Sequence, residues 1–448
     1  MRAVDSVRTV VAFDWSVQSS AFMRAEARER RKKLLSLSLV DLAVAQLLRE
    51  YRRLDEVSMS KAMIFLMDGT ANDATEVISE TETCSNVYAI NQLIADHKQD
   101  GNEISTQVTF YLPGVGTKFT VSATSIFSEI LLRRTQYIFG DNLDQLVLRA
   151  YVNLVANYRV GDEIILIGFS RGAAAARIFS RLISDFGILK SGFLTHLDRM
   201  WRDFIAVSEK GDDAQYYGAI EVLKKNLAKQ CESDQVFHEA PKIKFMGLFD
   251  TVTGPFDRDI GESLVARDQK PASNVSSIVH LLSMHENRAE FPPRRFVFNG
   301  ACELREIWLP GVHADVGGGY KKDFLSRVAL LTMAKFLERI GEVALIPESV
   351  DRLTQTVRND IQNKNFIVNR NAKITGAKNI RSVAREDHVH PIHFELLKYH
   401  VEWKGNSIVY ESRIPDGCPK DGDVQQWFDP AFSDVFESLK GIPLHRNG

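Results

Sequence analysis

The chain has 448 residues, long enough for one large enzyme domain with insertions or for two domains of ordinary size. Hydrophobic residues make up 44% and charged residues 25%, which is typical of a soluble globular protein with a filled core. The formal net charge of −2 gives no electrostatic reason to expect a nucleic acid partner.

The first 60 residues differ from the rest of the chain. Residues 1–20 lack a signal peptide's order of basic start, apolar run and small-residue cleavage site, so we expect synthesis in the cytoplasm without a signal peptide. Residues 23–54 contain no Gly or Pro and repeat apolar positions at helical spacing, which predicts a helical extension over residues 1–60. No apolar stretch reaches the roughly 18 residues that span a bilayer.

From residue 61 onward, strand and helix patterns alternate. This alternation predicts an α/β fold with a mostly parallel sheet covered by helices on both faces. The predicted strands are residues 63–67, 107–112, 163–167, 243–249 and 305–309, and the predicted helices are residues 86–94, 143–158, 172–182 and 325–340.

Two long stretches, residues 188–241 and 253–304, interrupt the alternation, and we expect them to form lids or binding walls. We therefore predict a catalytic domain at residues 61–345 with insertions at these two stretches. Residues 346–448 are expected to form a mixed α/β extension packed on that domain, with a hairpin turned at Gly405-Asn406.

The strongest chemical signal is the segment GFSRG at residues 168–172, between a predicted strand and a predicted helix. A nucleophile elbow needs this order, because the strand must turn sharply to lift a serine out of the backbone. Glycines two residues before and after Ser170 remove side chains that would collide where strand and helix pass. A tight turn with an incidental serine is the alternative interpretation.

A serine hydroxyl needs an adjacent base, which is held in turn by an acid. Asp250 directly follows the buried strand at residues 243–249, and His313 follows the strand at residues 305–309. Both are therefore expected at the carboxyl edge of the sheet, where Ser170 emerges.

Other residues compete for these roles. Asp315 and Glu286 are alternative acids, although Asp315 lies only two residues beyond His313. The residues that compete as the base are His280, His285, His388, His390 and His393. The last three form a cluster whose spacing matches no metal signature, and the four scattered cysteines contain no CxxC pair. We therefore predict neither a metal site nor a cofactor.

Asp68-Gly69-Thr70 follows the first predicted strand. It resembles the end of the haloacid dehalogenase motif, but Leu66 occupies the position of that motif's nucleophile. The turn is better suited to binding an oxyanion through the backbone N–H of Gly69 or Thr70, together with that of Arg171.

Five ordered segments together resemble the α/β-hydrolase-like family that includes the Tle lipase effectors of type VI secretion. They are FLMDGT at 65–70, GFSRGA at 168–173, GLFDTV at 247–252, SMHENRAEF at 283–291 and GVHADVGGGY at 311–320. The resemblance implies an A-type phospholipase with Ser170, Asp250 and His313 at the triad positions. It also implies injection into rival bacteria. Residues 118–142 lack most of the family's glycines, and residues 1–60 and those after about 345 match no known pattern.

The leading hypothesis is therefore a serine-dependent phospholipase that acts on phospholipid or another acyl ester. The alternatives are a non-catalytic binding module on a hydrolase scaffold and a cytosolic esterase of small substrates. An immunity protein or a secretion-machinery component is an expected partner. Apolar residues 121–132 and 193–207 suggest peripheral membrane contact.

Overall fold

The computed structural model describes residues 60–69, 82–101, 103–114, 143–207, 212–253, 269–298, 300–369, 381–384, 387–403, 406–410 and 412–413. The predicted helix at residues 23–54 and the apolar segment at residues 121–132 lie outside these ranges, as does Thr70.

Eight strands form the central sheet. In chain order they are β1 (Ala62–Met67), β3 (His97–Asp100), β4 (Glu103–Leu112), β5 (Glu163–Phe169), β8 (Ile243–Phe249), β9 (Val275–Ser283), β10 (Glu303–Leu309) and β12 (His388–Val389). Their spatial order is β12-β10-β9-β8-β5-β1-β4-β3. All neighbours are parallel except the edge pair β3 and β4. This sheet confirms the predicted α/β-hydrolase-like class.

Six shorter strands pair outside the sheet. β2 (Glu82–Ser85) pairs with β11 (Gly318–Tyr320), β6 (Ile188–Leu189) with β7 (Phe237–His238), and β13 (His400–Trp403) with β14 (Asn406–Val409). Trp403 pairs with Asn406 in this hairpin. Gly405 of the predicted turn at Gly405-Asn406 lies outside the described residues.

Nine α-helices are defined within the described residues. They are α1 (Asn86–Leu93), α2 (Leu143–Asn157), α3 (Arg171–Phe186), α4 (Leu197–Ala206), α5 (Asp213–Gln230), α6 (His313–Gly317), α7 (Phe324–Arg339), α8 (Pro347–Gln362) and α9 (Ile392–Leu396). Among these residues, no helix is both long and apolar enough to cross a membrane.

The sheet separates two hydrophobic cores, as the burial of β1 illustrates. All six residues of β1 are buried, and successive side chains point to opposite faces. Met63 and Phe65 join the core beneath α2 and α3, whereas Ile64 and Leu66 join the core beneath α7. A strand covered on both faces must be apolar throughout, which explains the unbroken run AMIFLM.

The second predicted interruption contains a strand that the sequence analysis missed. Val275–Ser283 lies between β8 and β10 in the sheet, so residues 253–304 are not an insertion from end to end. The described part of the first interruption contains α4 and α5. Beyond residue 345, β12 adds an edge strand beside β10. The domain boundaries themselves stay a prediction.

Candidate active site

The carboxyl ends of β5, β8 and β10 carry the three residues that sequence analysis singled out. Backbone hydrogen bonds between neighbouring strands continue past the strand ends. The N–H of Ser170 donates to the carbonyl of Phe249 (3.0 Å), and the N–H of Asp250 donates to that of Leu281 (2.7 Å). The start of α6 returns His313 toward the same edge.

Ser170 lies on a strained turn between β5 and α3. Its backbone has φ 56° and ψ −124°, a region that residues with a side chain rarely adopt. The neighbouring glycines are required by close packing. A Cβ at Gly168 would lie 2.6 Å from the Cα of Ala173, and a Cβ at Gly172 would lie 2.2 Å from the carbonyl oxygen of Met67. This geometry matches a nucleophile elbow.

Three side chains form a continuous hydrogen-bonded chain. The Nε2 of His313 lies 2.9 Å from the Oγ of Ser170, and the Nδ1 of His313 lies 2.6 Å from the Oδ2 of Asp250. Ser170 and His313 are 4% and 6% exposed, and Asp250 is fully buried. Because the carboxylate accepts from Nδ1, His313 in its neutral form presents Nε2 as the acceptor for the serine proton.

Packing and backbone contacts hold the His313 ring in place. The ring of Phe169 lies 4.7 Å from the His313 ring and that of Phe291 lies 5.0 Å away, between centroids. The Oε2 of Glu286 accepts from the backbone N–H of His313 (3.2 Å). The imidazole therefore has little room to turn away from Ser170.

Asp250 is held by two residues to which the sequence analysis gave no role. The backbone N–H and hydroxyl of Ser283 donate to its two carboxylate oxygens (2.9 Å each), and the Nη1 of Arg381 donates to Oδ1 (2.5 Å). Burial disfavours the charged carboxylate, but Arg381 and His313 outweigh it and hold the pKa of Asp250 well below its usual range. Ser283 falls in one of the family-like segments, whereas no motif marked Arg381.

The predicted oxyanion turn lies beside the elbow. The carbonyl oxygen of Asp68 would lie 2.4 Å from a Cβ at Gly172. The carboxylate of Asp68 accepts from the N–H of Gly69 (2.6 Å), the hydroxyl of Ser85 (2.6 Å) and that of Tyr111 (2.7 Å). The N–H of Gly69 is thus already engaged by its neighbour. Arg171 opens α3 directly after Ser170, and burial lowers the pKa of its guanidinium.

The two alternative acids point elsewhere. The carboxylate of Asp315 accepts from the N–H of Val312 (3.0 Å) and from the amide side chain of Asn369 (2.6 Å), and burial raises its pKa to about 7. Burial opposes ionisation of Glu286, but hydrogen bonds from Arg288 outweigh it and lower the pKa to about 2. Of the three candidate acids, Asp250 is the one beside the Nδ1 of His313.

The competing histidines have other partners. His280 accepts from the N–H of Thr251 (3.1 Å) and contacts Glu306 (2.9 Å), and His285 accepts from the N–H of Gly311 (2.8 Å). His390 and His393 are buried, and burial lowers the pKa of each to about 3. His388 is exposed on β12. Within the described ranges, no group of three or more His, Cys, Asp and Glu could hold a metal ion.

A parallel sheet with a serine elbow and a Ser-His-Asp arrangement at its carboxyl edge defines the α/β-hydrolase-like class of proteins. Within that class, the catalytic-domain model of the Tle1-like phospholipase effectors of type VI secretion matches residues 61–336. The match covers more than half of the chain, and the chain belongs to this family. The resemblance noted in the sequence is thereby confirmed.

One curated relative matches part of the chain. The "Uncharacterized protein YEL023C" of Saccharomyces cerevisiae is 26% identical over 246 residues, which are 52% of this chain and 32% of that protein. The chain thus spans about a third of the length of this curated relative.

Two solved structures are similar to the chain. The crystal structure of an uncharacterized protein from Pseudomonas aeruginosa is 19% identical, with 74% of this chain and 57% of that chain covered and a TM-score of 0.32. The structure of the Tle1 effector bound to the VgrG spike from the type 6 secretion system is 20% identical, with 59% and 51% covered and a TM-score of 0.29. Likeness at these TM-scores carries no argument about the site.

Proposed function

We propose that the protein is a serine-dependent phospholipase of the A type, which cleaves a fatty acyl ester of a membrane phospholipid. The observation that carries this proposal is the chain of contacts from Ser170 through His313 to Asp250. Membership of a family of phospholipase effector catalytic domains supports the substrate class.

In the first half-reaction, the Oγ of Ser170 attacks the ester carbonyl carbon while its proton passes to the Nε2 of His313. The carbonyl oxygen becomes an oxyanion, and Asp250 stabilises the imidazolium that forms. When the tetrahedral intermediate collapses, the ester C–O bond breaks. The leaving lysophospholipid oxygen takes the proton from Nε2, and the fatty acyl group remains on Ser170.

In the second half-reaction, water replaces the serine as nucleophile. His313 takes a proton from the water, whose oxygen attacks the acyl carbon. The bond to Ser170 then breaks, the Oγ recovers its proton from His313, and the fatty acid leaves.

The oxyanion is assigned to the backbone N–H groups of Arg171 and of Gly69 or Thr70. Loss of one such donor typically costs about 3 kcal/mol of transition-state stabilisation. The N–H of Gly69 donates to the Asp68 carboxylate in this structure, so an oxyanion there would have to replace that contact. Thr70 lies outside the described residues.

The proposal extends to delivery and partners. A family of type VI secretion effectors supports export through that machinery, with a spike component and an immunity protein as partners. Peripheral contact with the membrane would present the phospholipid ester to Ser170.

The test compares wild type with Ser170→Ala on phosphatidylethanolamine and phosphatidylglycerol vesicles and on short-chain esters. Ser180→Ala is a matched control. Ser180 is a buried serine of α3, the helix that follows Ser170, and its hydroxyl donates to the carbonyl of Arg177. We expect Ser170→Ala to lose at least about a thousandfold in rate while Ser180→Ala keeps its activity. Equal rates for wild type and Ser170→Ala would reject the nucleophile. Hydrolysis of soluble esters without hydrolysis of vesicles would favour a small-substrate esterase.

A further inference from the structure

We propose that Arg381, which lies outside the segment matched by the family model, is a positioning residue that holds Asp250 toward His313 and balances its negative charge. This inference rests on the proposed function, since it concerns the same Ser-His-Asp site. It assigns to the C-terminal region a part in the chemistry of the catalytic domain.

The contacts of Arg381 converge on Asp250 and on the residue beside it. Its Nη1 donates to the Oδ1 of Asp250 (2.5 Å), the hydroxyl of Ser283 (2.7 Å) and the carbonyl of Ser283 (2.8 Å). Its Nη2 donates to the carbonyl of Phe291 (2.8 Å), the residue whose ring packs against His313. One guanidinium therefore links the acid, its hydroxyl partner and the wall of the imidazole pocket.

The ion pair is fully enclosed, because the side chains of Arg381 and Asp250 are 1% and 0% exposed. A buried guanidinium is costly to desolvate and persists where a carboxylate compensates it. Since Oδ2 faces His313 and Oδ1 faces Arg381, the two donors bind different oxygens and fix the plane of the carboxylate. An Asp250 without this partner could rotate away from Nδ1.

Separate contacts hold the segment around Arg381 on the sheet. The guanidinium of Arg295 donates to both carboxylate oxygens of Asp387 (3.1 and 2.6 Å), which also accepts from the indole of Trp308 (2.9 Å). Next to Asp387, β12 pairs with β10. Docking of this segment and orientation of Asp250 thus depend on different residues, which allows them to be tested separately.

The charge of Arg381 has a predictable effect on His313. The Asp250 carboxylate favours the imidazolium, and Arg381 offsets part of that effect. The other charged or titratable groups around this centre are His280, Glu286, Arg288 and Asp315, and they are unchanged by a substitution at residue 381. Removing the guanidinium charge should therefore move the acid limb of the kcat profile to higher pH.

The experiment uses the full chain as wild type, Arg381→Met, Arg381→Lys and the control Arg295→Gln. The control removes contacts with Asp387 but none with Asp250. For each protein, kcat and KM are measured on a short-chain ester between pH 5 and pH 9. NMR of ¹⁵N-histidine-labelled protein follows the Nδ1 proton of His313, whose signal reports the hydrogen bond to Asp250.

For Arg381→Met we expect kcat to fall roughly ten- to hundredfold with KM within about twofold, as loss of orientation implies. The midpoint of the acid limb of kcat should move to higher pH by about one unit. The Nδ1 proton signal of His313 should shift or weaken, because Asp250 is less firmly oriented. Arg381→Lys should keep the wild-type midpoint with a smaller loss of kcat, because it keeps the charge but not the planar fork. Arg295→Gln should lose thermal stability without moving the midpoint.

The inference would be overturned if Arg381→Met kept the wild-type kcat and the wild-type midpoint of the acid limb. An equal shift of that midpoint in Arg295→Gln would also overturn it. If Arg381→Met does not fold, a wild-type kcat in Arg381→Lys overturns it. Failure of the proposed function is seen separately, as a wild type that hydrolyses no ester. The Nδ1 proton signals of the variants still decide the role of Arg381 in that case.

Discussion

At the scale of single residues, two buried aspartates near His313 show how position decides chemistry. The carboxylate of Asp250 accepts a hydrogen bond from the Nδ1 of His313, and the guanidinium of Arg381 keeps this carboxylate ionised. Asp315 is equally buried, but its carboxylate is directed at backbone and amide donors, and burial raises its pKa to about 7. An acid that orients an imidazolium must stay ionised while the base works, and Asp250 meets that condition.

A pair of substitutions tests this difference. We expect Asp250→Asn to lower kcat on a short-chain ester by about a thousandfold or more, because the amide favours the wrong tautomer of His313. Asp315→Asn should keep at least about a third of the wild-type kcat, since its contacts do not reach the ring. Comparable losses in the two variants would contradict the assignment of the acid.

Asp315 also gives a prediction for the stability of the fold. The pKa of Asp315 is about 7 in the fold against an ordinary value of 3.8, so its contribution to stability is greatest below pH 3.8 and is lost as the pH rises through about 7. Asp315→Asn removes this dependence. Between pH 5 and pH 8 the melting temperature of the variant should therefore rise relative to wild type by at least about 2 °C. A relative fall over this range, in parallel calorimetric scans, would contradict the raised pKa.

The sequence alone identified Ser170, Asp250 and His313, because each follows a buried strand and Ser170 lies in an elbow motif. Arg381 could not be predicted in this way. It lies 131 positions from Asp250, in a segment without a motif, and a single arginine carries no signal of the carboxylate it will meet. Gly69 was predictable as a strand-end turn, but its contact with Asp68 was not.

At the scale of elements, the elbow depends on the close approach of α3 to β1. A Cβ at Gly172 would lie 2.2 and 2.4 Å from the carbonyl oxygens of Met67 and Asp68. Both obstacles are backbone atoms, so relief requires a shift of α3, which begins directly after Ser170. Helix position and nucleophile position are thereby coupled.

Gly172→Ala tests this coupling against Gly218→Ala, whose added Cβ meets nothing within 4 Å on α5. We expect Gly172→Ala to lower the free energy of unfolding by about 2 kcal/mol or more and to lower kcat with it. Gly218→Ala should be neutral or more stable by up to about 1 kcal/mol. Urea denaturation followed by circular dichroism gives both values. A Gly172→Ala protein as stable and active as wild type would show that the elbow has spare room.

Five of the eight strands of the central sheet were predicted, because buried parallel strands are apolar throughout and helices follow them in alternation. The strand β9 was missed, as were the short strands β3 and β12 at the two edges of the sheet. The β9 sequence VSSIVHLLS carries three serines and a histidine, of which Ser283 and His280 make buried hydrogen bonds with Asp250 and Glu306. Polar side chains that are satisfied inside the fold break the apolar run on which the prediction depends.

At the scale of the whole molecule, several buried groups share a dependence on pH. His390 and His393 remain neutral in the fold with pKa values of about 3, against 6.5 for an ordinary histidine. Since the unfolded chain takes up protons first, their contribution is fully present above pH 6.5 and is lost as the pH falls through about 3. Glu286 and Glu306, with pKa values of about 2, contribute above pH 4.5 and lose that contribution as the pH falls through about 2.

We therefore expect the protein to lose stability from pH 7 to pH 3, because the contributions lost by these four groups exceed the contribution that Asp315 gains over the same range. Between pH 7 and pH 4, His390→Gln should lose roughly 3 kcal/mol less of its free energy of unfolding than wild type, because one buried neutral histidine is removed. His388→Gln, two residues away on the exposed side of β12, should leave it unchanged. Chemical denaturation at a series of pH values gives the free energy of unfolding of wild type and of the two variants. The same dependence on pH in wild type and in His390→Gln would contradict the account.

The central claim is that His313 activates Ser170 as the nucleophile, and active-site labelling tests it most directly. The full chain is treated with a fluorophosphonate, and peptide mass spectrometry locates the adduct. The account predicts one adduct per chain on Ser170, none in Ser170→Ala, and labelling slowed at least about a hundredfold in His313→Ala. Labelling of Ser170 at the same rate with and without His313, or an adduct elsewhere in the chain, would contradict it.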